Sequence, residues 1–344
     1  MPLVAKISVK EFLNNIKAVR AKTGTNIIAV VKADAYAHGA AALAINSQSV
    51  VDEFAVADFK EALELVSAGI SKPVNILSPI EAVFSPNWQD NMVATVCSLR
   101  DIDVIRRSKI ATKEVNIELN TGMNRLGLEQ QELAVAIKNL ANAGIRVKSI
   151  FSHLYNAPNL LNSQQQLQKF ETAISPKRQN ICYHLAASSC MHLPKEFYFD
   201  AVRPGIGLYG YAEGTTPILK IYAGILKIFA VKKGEAISYG DYKAPRDMII
   251  AAVRAGYADG IKRKIDPNSE NRFMSIGGKL CPIIGQVCMD ITMIDVSKVK
   301  VNYSDKVFVL GNGITADMLA CDTNTNVYEV LTAFKGRVER KYYF

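Results

Sequence analysis

At 344 residues the chain has room for about two domains of roughly 100 to 200 residues each, and 49% hydrophobic residues supply sizeable cores. The net charge of +9 is scattered, with no basic run longer than pairs and triplets such as Lys262-Arg263-Lys264, so it is no nucleic-acid footprint and reads as a solvated surface with some pull on anionic small molecules. Six cysteines form no C-x-x-C pair and no disulfide scaffold, so free thiols in a reducing compartment are expected.

The opening segment MPLVAKISVKEFLNN lacks the apolar core of a signal peptide. No apolar run approaches the roughly 18 residues of a membrane span, and the cytoplasm is the expected location. Ser8 to Glu11 has capping-box spacing, and Val9, Phe12, Leu13 and Ile16 repeat at helical spacing until Gly24, predicting a first helix.

From Asn26 onward, β-branched runs alternate with helix-period segments. The runs are NIIAVVK ending at Lys32, EFAVADF at Phe59, VNILSP at Pro79, NMVATVCS at Ser98, VNIELN at Asn120, VKSIFSHL at Leu154, ICYHLAA at Ala187 and AVRPGIGLYG at Gly210. Between them lie amphipathic segments such as KEALELVSAG, LRDIDVIRRSKI and QQQLQKFETAIS, while Pro86 weakens the third. Eight such alternations predict a (β/α)8 barrel over residues 1–216. Beyond Gly210 the runs are joined by short glycine-containing turns, predicting a mainly β domain over residues 217–344 with short helices at ADMLA and VYEVLTAF.

A barrel of this kind carries its active site at the C-terminal ends of its strands, often with a phosphate site after strands seven and eight. Strand one ends at Lys32, with Tyr36 beyond it; Arg125 follows strand five, His153 lies on strand six, Ser188 follows seven, and Arg203-Pro-Gly205-Ile206 lies on eight. A lone lysine at a strand end is usually a snorkelling cation. One that converges with two arginines and a phosphate-type serine is better read as a nucleophilic amine able to form a Schiff base. GIGLYG matches G-x-G-x-x-G, but no helix and no ribose-binding acid follow, so its glycine amides suit a phosphate rather than a dinucleotide. G-x-S-x-G, H-E-x-x-H and Walker motifs are missing. The four histidines lack metal-ligand spacing, so no metal is expected; His184 and His192 are read as structural.

Six motifs in order, VVKADAYAHG, NTGMNRLG, AVRPGIGLYG, GYADG, GQVCMDITMID and NVYEVL, span nearly the whole chain, which therefore resembles the pyridoxal-phosphate-dependent alanine racemases. That resemblance implies a (β/α)8 barrel followed by a β domain, and a homodimer with shared active sites that interconverts L- and D-alanine, supplying D-alanine for peptidoglycan. Lys32 would hold pyridoxal 5'-phosphate as a Schiff base and act as one catalytic base. Tyr257, from the second subunit, would be the other, on the opposite face of Cα. Arg125 would favour the Tyr257 phenolate. Arg203 would donate to the pyridine nitrogen without protonating it, limiting side reactions such as transamination, and His153 would orient Arg203. Tyr36, Ser188, Tyr328 and the Gly205 and Ile206 amides would hold the phosphate, and the Met289 amide would meet the substrate carboxylate.

Three positions depart from the family pattern: Ala37 stands where glycine is usual, Ala187 where asparagine is usual, and Glu118 where many relatives carry a lysine that becomes carbamylated. Glu118 would supply a fixed carboxylate to Arg125 without CO2. Competing readings are a racemase of broader specificity, a decarboxylase on the same barrel, and a noncatalytic pyridoxal-phosphate carrier. The carrier would need neither the β domain nor Tyr257, and the decarboxylases pair the pyridine nitrogen with an acid instead of Arg203.

Overall fold

The structure, a computed structural model, describes residues 2–79, 87–107, 112–263 and 272–344. It divides into two compact units: Lys10–Ala35 with Gly39–Pro217, and Met1–Val9 and Tyr36–His38 with Ile218–Phe344. Strand β1 (Val4–Ser8) opens the chain and runs into the expected helix, Val9–Thr23.

The first unit is a closed parallel barrel of eight strands, β2 (Asn26–Val30), β3 (Glu53–Val56), β4 (Val74–Pro79), β5 (Met92–Val96), β6 (Glu114–Glu118), β7 (Arg146–Phe151), β8 (Cys182–Ala187) and β9 (Ala201–Arg203). β9 closes on β2 with Ala201 opposite Asn26. The eight runs read from the sequence are these eight strands, because a sheet covered on both faces selects near-continuous apolar segments. Helices Phe59–Ser67, Leu99–Arg107, Leu133–Asn142 and Leu160–Ile174 lie between them. Asp58 and Asn159 cap two of these helices by accepting the Glu61 and Asn162 backbone N–H groups. The weakened third segment at Pro86 lies outside the described residues.

The first strand stops at Val30, two residues short of Lys32. Lys32–Ala37 then forms one helical turn of left-handed sense, with φ between 53° and 65° from Ala33 to Ala37. Without glycine, each left-handed residue costs about 1–2 kcal/mol, so the turn persists only where its surroundings hold it. Ala33 N–H donates to Glu61 Oε1 at 2.7 Å, Ala35 N–H to Val31 O at 2.8 Å and Gly39 N–H to Asp34 O at 2.9 Å. Arg340 Nε–H donates to Ala37 O and the Tyr342 hydroxyl to His38 O, each at 3.0 Å. Ala37 takes up a conformation that glycine would adopt without strain.

The second unit is a mainly β structure of β1 with β10 (Leu219–Val231), β11 (Met248–Val253), β12 (Phe273–Ile276), β13 (Lys279–Pro282), β14 (Thr292–Asp295), β15 (Lys306–Leu310) and β16 (Glu339–Tyr343). Its order is β13-β12-β15-β10-β1-β16, with β11 bridging β10 and β14. Val231, Ile237, Met248, Ile250 and Ile284 fill one of its cores, and Gly277-Gly278, both at positive φ, turn β12 into β13. Helices Ala316–Asp322 and Val327–Ala333 complete it. β1 and β16 are not anticipated by the sequence reading. Each is a five-residue strand with little alternation, and β1 is recognisable only through its pairing with β10 and β16 from the far end of the chain. A single cut at 216/217 therefore assigns β1 to the other side from the unit in which it pairs.

Candidate active site

Lys32, Glu118, Arg125, His153, Ser188 and Arg203 all belong to the barrel unit. Glu118 and Arg203 are the last residues of β6 and β9, and Lys32, His153 and Ser188 follow β2, β7 and β8 within two residues. This is the C-terminal rim that the strand count selected. The pKa of Lys32 is lowered by burial first and then by Arg125, with Glu61 and Glu118 opposing and Arg203 adding to the fall. An amine so placed keeps a larger unprotonated share near neutral pH, which is what a nucleophilic lysine requires.

Glu61 is a residue the sequence reading missed. Its two oxygens accept the backbone N–H groups of Ala33 and Ala57, at 2.7 and 2.8 Å, tying the Lys32 turn to the end of β3. The Asp58-x-x-Glu61 capping pattern carried the signal, but the reach to Ala33 depends on barrel closure. Glu61→Gln turns an amide N–H toward one of these donors and is expected to cost about 1–3 kcal/mol of stability. Denaturant unfolding that leaves the midpoint unchanged would refute this role.

Arg203 is buried and surrounded by acceptors. Its Nη2 donates to Ser152 O at 2.6 Å and Leu185 O at 3.3 Å, its Nη1 to His184 O at 3.2 Å, and its Cζ lies 4.8 Å from the Phe151 ring centroid. His153, expected to orient it, places Nδ1 3.5 Å from Nη2. The closer imidazole is His184, which was read as structural. Its Nδ1 meets Arg203 Nη1 directly, and its ring stacks on Phe151. Burial first, then Arg203 and other cations, drives the His153 pKa down to about 3 and that of His184 well below its ordinary value. Both rings are therefore neutral. The signal for His184 was its place at the centre of a barrel strand, where a polar side chain needs a partner.

The Ser188 hydroxyl accepts the Gly205 and Gly207 N–H groups at 2.8 and 3.0 Å. The Gly205 amide, expected to face a phosphate, is thus engaged by Ser188, which joins the serine to the glycine turn in which Ile206 opens a short 3-10 helix. A Cβ on Gly207 would stand 3.0 Å from Ala212 Cβ and 3.2 Å from Ser188 Oγ, so a larger residue there would press on the Ser188 side chain. A depressed amine, a carbonyl-cradled arginine and a hydroxyl–glycine turn suit a phosphorylated pyridine aldehyde.

Glu118 is buried, with Oε1 4.0 Å from Arg125 Nη2 and Oε2 accepting the Cys97 thiol at 3.5 Å. Burial raises its pKa, while the Cys97 hydrogen bond and the Arg203, Arg125 and Lys32 charges pull it back. Five cysteines, Cys97, Cys182, Cys281, Cys288 and Cys321, are free, and no metal-binding cluster occurs among the described residues.

The remaining expected site residues lie in the second unit. Tyr36 is buried against Tyr328, ring centroids 6.0 Å apart, and burial raises its pKa. Tyr328 is exposed on helix Val327–Ala333. Tyr257 begins a short 3-10 turn, and its N–H donates to Cys288 O at 3.0 Å while the Ala258 N–H donates to Met289 O at 3.0 Å. Tyr257 and Met289 are thus joined through the backbone and both exposed, at 38% and 52%. Gly256 permits this approach, since a Cβ there would stand 2.3 Å from Met289 O. Asp259 closes the turn on the Gly256 N–H and pairs with Arg337 at 2.9 Å.

Residues 7–213 match the family model for the alanine racemase N-terminal domain, and residues 218–342 match that for the C-terminal domain. An alanine racemase of Thermodesulfovibrio yellowstonii is 35% identical over 99% of this chain and 97% of its own length, and one of Streptococcus pneumoniae is 34% identical over 99% and 98%. The crystal structure of alanine racemase from Bartonella henselae with covalently bound pyridoxal phosphate is 27% identical, with a TM-score of 0.90 covering 100% of both chains. The chain belongs to the alanine racemase family.

Proposed function

We propose that the protein is a pyridoxal-phosphate-dependent alanine racemase that interconverts L- and D-alanine, provides D-alanine for peptidoglycan, and acts as a cytoplasmic homodimer. The observation that carries this reading is Lys32 at the barrel rim, a half-buried amine whose cationic form is disfavoured first by desolvation and then by Arg125, with Arg203 adding a smaller push. No helix among the described residues is long and apolar enough to cross a membrane. Bound pyridoxal phosphate supplies the electron withdrawal that acidifies the substrate Cα–H bond.

Lys32 holds the cofactor and moves a proton on one face of Cα. Tyr257 of the second subunit moves a proton on the other face through its phenolic oxygen, as inversion requires. A phenol with an ordinary pKa near 10 needs a cation to serve as a base, and Arg125 provides one. The Met289 N–H meets the substrate carboxylate; Tyr257 and Met289 are already coupled by the Ala258–Met289 hydrogen bond, which supports their acting together. Arg203 would donate to the pyridine nitrogen, with His153 and His184 beside it as neutral rings. Tyr36, Tyr328, the Ser188 hydroxyl and the Ile206 N–H would hold the phosphate, with the Gly205 N–H fixing Ser188 in the same turn.

Glu118 holds Arg125 in place. Its raised carboxyl pKa means that the native state keeps an extra proton between the unfolded value, near about 4.3, and the folded one. Stability is therefore lost as pH rises through that window. Glu118→Gln removes this titration, so its stability is expected to be flatter with pH over the same window, while looser holding of Arg125 costs on the order of tenfold in kcat. Unaltered pH–stability and pH–rate profiles would count against the assignment.

The experiment for the function as a whole is to load the protein with pyridoxal phosphate, record the visible Schiff-base absorbance, and follow the optical rotation of L-alanine. A colourless protein, or undiminished rotation, defeats the reading.

A further inference from the structure

A line of buried polar side chains crosses the barrel interior from Arg203, at the C-terminal end of β9, to Glu53, the first residue of β3. Its members are His184, Ser149, Asn116 and Asn75, all buried, on β8, β7, β6 and β4. His184 Nε2 lies 3.1 Å from Ser149 Oγ, Ser149 Oγ 2.6 Å from Asn116 Oδ1, Asn116 Nδ2 2.7 Å from Asn75 Oδ1, and Asn75 Nδ2 2.7 Å from Glu53 Oε2. Lys148 pairs with the other Glu53 oxygen. A run of buried polar groups in a barrel core is costly unless each is satisfied.

The direction of every bond follows from the far end. Glu53 accepts only, and Asn75 Nδ2 faces both that carboxylate and the Phe54 carbonyl, at 2.9 Å, so Asn75 must turn its oxygen toward Asn116. Asn116 then presents its amide nitrogen to Asn75 and its oxygen to Ser149. The single Ser149 hydroxyl proton is spent on that oxygen, so His184 Nε2 must carry a proton and donate. A neutral His184 then has a bare Nδ1, aimed at the Arg203 guanidinium, which can only donate. Reversing any one link would set two donors or two acceptors face to face, and turning the Ser149 proton toward His184 would also place an N–H of His184 against Arg203.

We propose that Glu53, Asn75, Asn116 and Ser149 are positioning residues for the reaction: the Glu53 carboxylate orders a one-directional hydrogen-bond line that holds His184 in its Nε2–H tautomer, so that Nδ1 fixes the Arg203 guanidinium. This rests on the reading that Arg203 meets the pyridine nitrogen. The low His184 pKa agrees with a ring that stays neutral. Lys148 pairs with the Glu53 oxygen that Asn75 leaves open, and the shared orientation of the dipoles makes His184 Nδ1 a stronger acceptor than an isolated imidazole.

The test uses the full chain loaded with pyridoxal phosphate and labelled with 15N-histidine. Only four histidines are present, so the His184 ring signals are assigned by single substitution of the other three. The expected result is a protonated Nε2 and a bare Nδ1 in the unsubstituted protein. Ser149→Ala, which removes one buried oxygen, and Glu53→Gln, which ends the line on a group able to donate, are each expected to shift those signals toward a mixed tautomer. Both should lower kcat on the order of tenfold with little change in KM, and Ser149→Thr, which restores the hydroxyl, should recover both readouts. A protonated Nδ1 in the unsubstituted protein overturns the proposal without any variant. So do unchanged His184 signals and kcat in Ser149→Ala, which keep it falsifiable if Glu53→Gln does not fold. If the unsubstituted protein racemises alanine while both variants match it, the hydrogen-bond line falls and the function stands. Loaded protein that fails to racemise alanine defeats the functional reading, while the tautomer result still decides the line.

Discussion

Lys32→Ala is expected to abolish racemisation, by at least about ten-thousand-fold, and to remove the visible chromophore, because this one side chain is proposed both to attach the cofactor and to move a proton. The variant is expected to hold its thermal midpoint. Burial beside Arg125 and Arg203 disfavours the Lys32 cation in the folded state, so deleting the amine relieves a penalty present at every pH below the lowered folded pKa. Lost activity with an intact fold separates a chemical role from a structural one. Retained chromophore and turnover would assign both tasks to another residue.

Tyr257→Phe is expected to lower kcat/KM by about 10²–10⁴ with little loss of stability, since the side chain is partly exposed and its hydroxyl is not part of the core. The two enantiomers have equal free energy, so kcat/KM must fall by the same factor in both directions. The asymmetry appears in hydrogen exchange. Lys32, still in place, can exchange the Cα proton of one enantiomer with solvent on its own face, without inversion. Deuterium incorporation into one enantiomer with almost no racemisation is the expected signature, and equal incorporation into both would sink the two-base assignment. Because Tyr257 is proposed to act in the partner subunit's site, mixed dimers of Lys32→Ala and Tyr257→Phe chains contain one intact site in two. Statistical re-association of equal amounts should recover about a quarter of the unsubstituted activity. No recovery on mixing would place both bases in the same subunit.

The barrel was legible because each of its strands carries a local pattern, an apolar run bounded by polar turns, that a sheet covered on both faces demands. The rim residues were legible for the same reason, since strand ends name the active face once the strands are counted. β1 and β16 were not, because their short sequences acquire meaning only from partners at the opposite end of the chain. The left-handed turn after Lys32 was hidden as well. ADAYA favours an ordinary helix by local propensity, and the strain is offset by contacts from elsewhere in the chain, among them Glu61, which accepts the Ala33 N–H, and Arg340 and Tyr342, which donate to the Ala37 and His38 carbonyls.

His184 shows the limit most sharply. In the sequence it is one of four histidines without ligand spacing. In the barrel its two ring nitrogens face Arg203 and Ser149, and its role follows from those partners. Residue identity and local periodicity are enough to specify the fold class, the order of the motifs and the amine at the rim, because these depend on chemistry carried by neighbouring residues. The protonation of that amine, the tautomer of His184 and the backbone held at Tyr36 were decided only by the tertiary structure. Each depends on charges and hydrogen-bond partners that chain closure brings together from distant strands, and their strength depends on burial that no single segment can provide.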